Sequence, residues 1–355
     1  MLRAALKVNP RDAHASYYLG NLLYDWQPEE ATKLWEDSAA LNPAFAIVHR
    51  NLATAYAHQK PTPDINRAIA ELEKAVSVNH KYALHFAELD ELYEQAGTPL
   101  EKRLPLFEKN QDVVAQRDDA QNRAVSLKVA AGKYDEAIAM MTGRKFAQAE
   151  GANLNVGDQW TAAHILRGQQ AIAAKRYKDA LADFEKAVAV PDNLPARGFG
   201  EGGARNAQVD YLTGLAYEGL GDHAKATESW NKASATPSGS GRRGGGMSAS
   251  VGGAQSYYQA LCLQKLGQAD KAKAIFQGLV DSGQRALTEP APAGAGRGGR
   301  GQPQSPRLRT ANAHYAIGLG YLGLGDTAKA KSELSQAVET SPDLLGARTA
   351  LASLK

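Results

Sequence analysis

Two stretches of this chain repeat one another. Asp210 to Ala233 reads DYLTGLAYEGLGDHAKATESWNKA, and His314 to Ala337 reads HYAIGLGYLGLGDTAKAKSELSQA. Gly214 matches Gly318, Tyr217 matches Tyr321, and Gly221-Asp222 matches Gly325-Asp326. Ala226 matches Ala330, and Ala233 matches Ala337. Self-similarity of this kind restricts a chain to stacked units, each burying its apolar face on a neighbour. The matched residues have physical roles in a helix–turn–helix unit. Gly214, Gly318, Ala226 and Ala330 let two helices approach closely, and Tyr217, Trp230, Tyr321 and Leu334 fill the space between them. Gly221 and Gly325 suit the left-handed residue just past a helix. Asp222 and Asp326 suit the cap of the next helix, where a carboxylate accepts backbone N–H groups.

This pattern resembles the tetratricopeptide repeat, a pair of antiparallel helices. The resemblance implies an all-α, right-handed solenoid of about eight helix pairs. Less faithful copies start at Tyr18-Leu19-Gly20 and at Leu52-Ala53, then run through FAELDELYEQAG, AGKYDEAIAMM and the segment holding Gly168 and Phe184. Another carries Ala260, Gly267 and Phe276. The expected organisation is a half repeat at 1–10, an array over 11–190, an inserted loop at 191–207 and a repeat at 208–235. A Gly/Arg linker follows at 236–253, a repeat at 254–283, a Gly/Pro/Arg linker at 284–309, a repeat at 310–343 and a capping helix at 344–355. The Gly, Pro and Ser content of the linkers predicts disorder.

The opening LRAALKVNP aligns with the second helix of a repeat, Ala5 standing where Ala233 and Ala337 stand. A second helix without its first leads to the expectation that the chain is the C-terminal part of a longer protein. Several stretches, among them ALHFAELDELYEQAGTPLEKRLPLFEKNQDVVAQRDD and EKAVAVPDNLPARGFG, are similar to the C-terminal helical region of a bacterial family. Its members carry an N-terminal β-rich domain similar to galactose mutarotases. The resemblance implies an accessory role beside a carbohydrate-related domain, and it supplies no catalytic residue for the helical region.

Enzyme chemistry finds little support. Net charge is +3 and there is one cysteine, so neither an internal disulfide nor a multi-cysteine metal site is available. GSGRRG at Gly239 and GAGRGG at Gly294 match a dinucleotide-binding spacing but lie in linkers, away from the strand–turn–helix that such a site needs. His49, His164 and His314 share one repeat position, which points to packing rather than ligation. Cys262 reads as a small buried hydrophobe, and Glu71 with Lys74 as a solvated surface pair. No cofactor, metal or catalytic residue is expected. No apolar run approaches the ~20 residues of a membrane span. The first ten residues hold Arg3 and Lys7 without an apolar core, so they do not read as a signal peptide. Cytoplasm and periplasm both remain open.

The expected function is therefore a non-enzymatic scaffold that takes a protein or peptide partner in its concave groove. Tyr17, Tyr211, Tyr257 and Tyr315 occupy one position of the first helices, and the last three suggest a tyrosine ladder facing that groove. Asn21 joins them as a polar groove residue. Asn51 follows on the next first helix, but Leu84 and Glu88 stand where a clamp for a peptide carboxylate needs cations. A weaker alternative is RNA or anion binding through Arg242, Arg243, Arg297 and Arg300 in the linkers.

Overall fold

The computed structural model describes residues 1–147, 155–195, 206–235, 248–289 and 306–354. Among the described residues it is all-α, with helices α1 (Leu2–Val8), α2 (Ala13–Leu23), α3 (Pro28–Leu41), α4 (Ala46–His58), α5 (Ile65–Val78), α6 (Ala83–Ala96) and α7 (Leu100–Lys109). There follow α8 (Gln111–Val114), α9 (Asp118–Ala130), α10 (Tyr134–Thr142), α11 (Val156–Ala173), α12 (Tyr177–Val188), α13 (Asn206–Gly219) and α14 (His223–Ala235). The last five are α15 (Ser248–Lys265), α16 (Ala269–Thr288), α17 (Pro306–Gly323), α18 (Thr327–Thr340) and α19 (Leu345–Ala352). Helices α2 to α7 and α11 to α18 form successive first-and-second-helix pairs.

The caps and turns follow from the sequence. Asp222 and Asp326 accept the backbone N–H of Lys225 and Lys329 at 3.1 Å each. Asp12 and Asp64 do the same for Ala15 and Arg67. Gly221 and Gly325 take φ of 79° and 84°, a conformation that side chains rarely adopt. Lys175 holds the same turn position between α11 and α12 at φ 59°, without glycine's freedom. Close approach sets the rest of the pair. A Cβ on Gly318 would stand 2.7 Å from Leu334 Cγ, and one on Gly20 2.5 Å from Trp35 Nε1. Trp230 and Leu334 are buried as expected. Tyr217 and Tyr321 are only half-buried, with the ammonium groups of Lys225 and Lys329 at 5.3 and 5.1 Å from their ring centroids.

The chain divides into two compact units, Met1–Leu127 and Lys128–Lys355. In the first, α2 packs on α3 and α3 on α4, then α4 on α5 and α5 on α6. Its apolar core includes Trp35, Leu72, Phe86 and Phe107. The third pair is irregular because Pro105 lies inside α7, which ends at Lys109 and is followed by the short α8. Buried charge holds this part together. Asp90 accepts from Arg103 at 2.8 and 3.0 Å, and Arg123 reaches both Asp90 and Glu94.

In the second unit α11, α13, α15 and α17 each pack on the next first helix, while α12, α14 and α16 bridge to the following pair. Tyr257, Phe276, Tyr315 and Leu334 belong to one core cluster, and Phe184, Ala180 and Leu212 to another. Helix α19 closes this unit, packing on α17 and α18.

The structure corrects the expected linkers. Helix α15 already starts at Ser248, α16 runs on to Thr288 and α17 begins at Pro306, so the edges of the stretches 236–253 and 284–309 drawn from composition are helical, and the rest of both lies outside the described residues. At the start of the 191–207 loop, Leu194 is buried and Asn193 donates to the carbonyls of Met141 and Arg144 at 2.9 and 2.7 Å. That order comes from satisfying the exposed carbonyls at the end of α10.

Candidate binding surfaces

In the first unit, the sequence places Tyr17 and Asn21 one turn apart on α2, so they share a face. Tyr17 is half-buried, its ring 5.0 Å from those of Tyr18 and Phe45. Asn21 is exposed, yet its amide is fixed. Trp35 Nε1 donates to Asn21 Oδ1 at 3.1 Å and also to the Tyr17 carbonyl at 3.2 Å. An indole N–H is only a donor, so it settles which end of the Asn21 amide is oxygen. Asn51 on α4 donates to the same oxygen at 2.9 Å. Both acceptor sites of that oxygen are filled.

Beside this pair stands Arg50, the residue before Asn51. Its guanidinium clasps Glu88 on α6, with Nε 2.8 Å from Oε2. That hydrogen bond, outweighing the cost of burial, raises Arg50 above its ordinary range. Glu88, which stands where a carboxylate clamp needs a cation, is thus neutralised within the face. The α2–α4–α6 side offers amides and aromatic surface rather than a net charge. Arg50 was missed because its role depends on Glu88, far along the chain.

In the second unit the tyrosine ladder does not form. Tyr257 and Tyr315 are 9% and 7% exposed and belong to the core. The Tyr257 ring lies 5.8 Å from Phe276 on α16, and Tyr315 lies under α19, where a Cβ on Gly346 would come within 2.5 Å of its hydroxyl. Burial pushes the Tyr257 phenol well up. A large ring at this position turns toward the neighbouring helix when that helix offers an apolar seat, because burying a whole aromatic side chain yields roughly 1.5–3 kcal/mol. Tyr211 is half-buried, and its partner is Tyr258, at 5.8 Å between centroids. Gln208 donates to the Tyr258 hydroxyl at 3.2 Å. Burial pushes Tyr211 up to about 12. Tyr258 was missed, although doubled tyrosines occur at this register in both units, Tyr17-Tyr18 and Tyr257-Tyr258. The residue after the packing tyrosine is rotated by about 100° around the helix, and Tyr258 there packs, half-buried, between the clusters around Phe276 and Trp230.

Arg242, Arg243, Arg297 and Arg300 lie outside the described residues. Cys262 is fully buried, and burial, then Asp210, raises its thiol to about 12, which suits a packing residue and not a nucleophile. Among the described residues no three histidine, cysteine or acidic side chains come together as a metal set, and no helix is long and apolar enough to cross a membrane. Glu71 is not the solvated surface residue expected: its side chain is 15% exposed and contacts His49.

Comparison with known families fits this geometry. Models of the tetratricopeptide repeat match residues 255–282, within α15 and α16, and residues 311–344, which span α17 and α18. These two helix pairs are tetratricopeptide repeats. No curated protein matches the chain's sequence. Among solved structures, similar folds include YrrB, described as a TPR protein with an unusual peptide-binding site, at 17% identity over 53% of this chain and 91% of that one, with a TM-score of 0.40. The TPR domain of P58(IPK) is similar at 15% identity over 97% of each chain, TM-score 0.29. Yeast Tom70 is similar at 11% identity over 92% of this chain and 58% of its own, TM-score 0.36. At these scores the superpositions are partial, and the assignment rests on the two sequence matches and the register of the helix pairs.

Proposed function

We propose that this chain is a non-enzymatic scaffold whose tetratricopeptide-type helix pairs bind an extended protein segment, and that the α2–α4 face of the first unit takes it. The observation that supports this reading is the exposed Asn21, whose amide oxygen is held by Trp35 and Asn51, which leaves its N–H groups for a ligand. An extended peptide carries alternating carbonyls and N–H groups, and an amide held in one orientation meets them without further loss of side-chain freedom. Tyr17 and Tyr18 add aromatic surface beside it at low entropic cost. Arg50 and Glu88 neutralise each other, which favours backbone and apolar contacts over a charged terminus.

Selection of short peptides from a displayed random library against the full chain tests this. The expected result is a set of binders that lose about tenfold in affinity on Asn21→Ala, with thermal unfolding unchanged. Binders indifferent to Asn21→Ala and Asn51→Ala would contradict the placement. Two rivals make different predictions for the same sample. An arm that only positions a carbohydrate-related domain yields no binders. An RNA-binding role through the arginine linkers yields binding to a homopolymer RNA that falls steeply with salt.

A further inference from the structure

Helix α1 stands in the register of a second helix and has no first helix against it. The end caps fix that register. The backbone N–H groups of Asn9, Asn42 and Asn79 return to the carbonyls of Ala5, Ser38 and Ala75 at the ends of α1, α3 and α5. Ser38 and Ala75 are fully buried, whereas Ala5 is exposed. Three residues earlier, Trp35 and Leu72 are buried fillers of their pairs, whereas Leu2 is only half-buried.

The next helix is open in the same direction. Two residues past the close-approach glycine, Ala216 and Gly320 are buried by the second helix of the preceding pair. Ala216 shares a core cluster with Phe184 of α12, and a Cβ on Gly320 would meet Val280 of α16 at 2.6 Å. Leu22 holds the same place after Gly20 and is 68% exposed. Helix α1 gives it little cover, having seven residues against the twenty of α16. Tyr18, one turn before Leu22, and Trp26, in the turn after α2, are 53% and 82% exposed. A continuous apolar face of this kind marks an interaction site.

Charge and the other end of the array select the occupant. Helix α2 is alone among the described helices in carrying no Asp, Glu, Lys or Arg. A two-fold contact sets a surface against its own copy, so a charge on it meets a like charge. A face without charge escapes that repulsion. Arg3 of α1 is tied to Glu30 of α3 at 3.1 Å. The second unit offers no matching face: α19 packs on α17 and α18, and none of its large hydrophobic residues is exposed. Contact from head to tail is therefore disfavoured, and a contact of the open face with itself stops at two.

We propose that this chain pairs with a second copy of itself, α2 of each copy lying across α1 and α2 of the other about a two-fold axis. Leu22 and Trp26 form the centre of the contact, and Leu2 and Ala5 its floor. Asn21 lies on the side of α2 toward α4, where Asn51 binds it, so the peptide face and the pairing face are different sides of one helix. Tyr18, its ring 5.0 Å from that of Tyr17, borders both.

Sedimentation equilibrium of the full chain, diluted stepwise from about 100 μM, tests this. The expected result is a monomer–dimer equilibrium with no larger species. Leu22→Glu sets a carboxylate into each half of the contact and should weaken pairing about tenfold or more. Leu22 is exposed in the single chain, so the variant should keep the helix content of wild type by circular dichroism. Leu220→Glu, at a position 43% exposed in the second unit, should pair as wild type does. Asn21→Ala should also pair normally, which keeps this reading separable from the peptide site. A wild-type chain that stays monomeric overturns the proposal and gives the face to a helix of another protein. Pairing that survives Leu22→Glu, or growth beyond the dimer, overturns it as well.

Discussion

The two units use one repeat register and hold it by different means. In the first, successive pairs are laced by polar ties from second helix to next first helix. Tyr56 donates to Glu36 at 2.7 Å while Arg67 donates to both, and Tyr93 donates to Glu73, which Lys102 also binds. The corresponding tyrosines of the second unit, Tyr217 and Tyr321, have a lysine of their own repeat over the ring, and Tyr217 packs against the cluster around Trp230. That unit has polar ties of its own, Gln208 to Tyr258 and Lys265 to Glu218, and adds aromatic and glycine packing, with Phe276 against Tyr257 and a Cβ on Gly320 meeting Val280 at 2.6 Å. The same tyrosine position therefore ends half-exposed at Tyr17 and buried at Tyr257 and Tyr315. Repeat sequence specifies the helix pair, and the bond to the next pair decides which side chains are left over for a ligand.

The largest expected effects separate a core tyrosine from a core charge. Tyr257→Ala should cost about 3–5 kcal/mol in urea unfolding, as for a large aromatic removed from a core. Arg103→Ala should cost about 3 kcal/mol, because it strips Asp90, 1% exposed, of its main partner. A loss below about 1 kcal/mol in either case would break the contrast between the units. Next comes close packing: Gly318→Leu should cost about 1–3 kcal/mol by driving a side chain into Leu334, and an unchanged melting temperature would mean that α17 and α18 are out of register. A smaller, more pointed pair is Tyr56→Phe against Tyr217→Phe. The first removes an inter-repeat hydrogen bond and should cost about 1 kcal/mol, whereas the second should be nearly neutral. Equal losses would erase the distinction between polar and apolar lacing. Smallest is a gain: Lys175→Gly relieves a left-handed residue and should stabilise the second unit by about 1 kcal/mol, readable as a higher melting temperature.

Much of this was legible in the sequence where one residue has one local duty. Asp222 and Asp326 cap, Gly221 and Gly325 turn, and Ala226 and Ala330 vanish into the interface because each answers to its own helix pair. The fate of Tyr257 was not legible, since it depends on Phe276 in the next helix. The histidine position was visible as a shared register, but its partners Glu71, Asp183 and Glu333 belong to the second helices, and the signal was their place just before Leu72, Phe184 and Leu334. Asn21 was legible as a polar residue on the first-helix face. Its fixed orientation was not, because that needs the indole of Trp35 and the amide of Asn51 together. Composition failed at the linker edges, where Ser248 and Pro306 open helices inside stretches that read as low in complexity.

The most direct test of the account is a peptide titration of three chains: wild type, Asn21→Ala and Tyr257→Ala, each under conditions where it is folded. The account predicts that a selected peptide binds wild type and Tyr257→Ala alike and binds Asn21→Ala about tenfold more weakly. Full-strength binding to Asn21→Ala with loss on Tyr257→Ala would place the ligand on the second unit and contradict it.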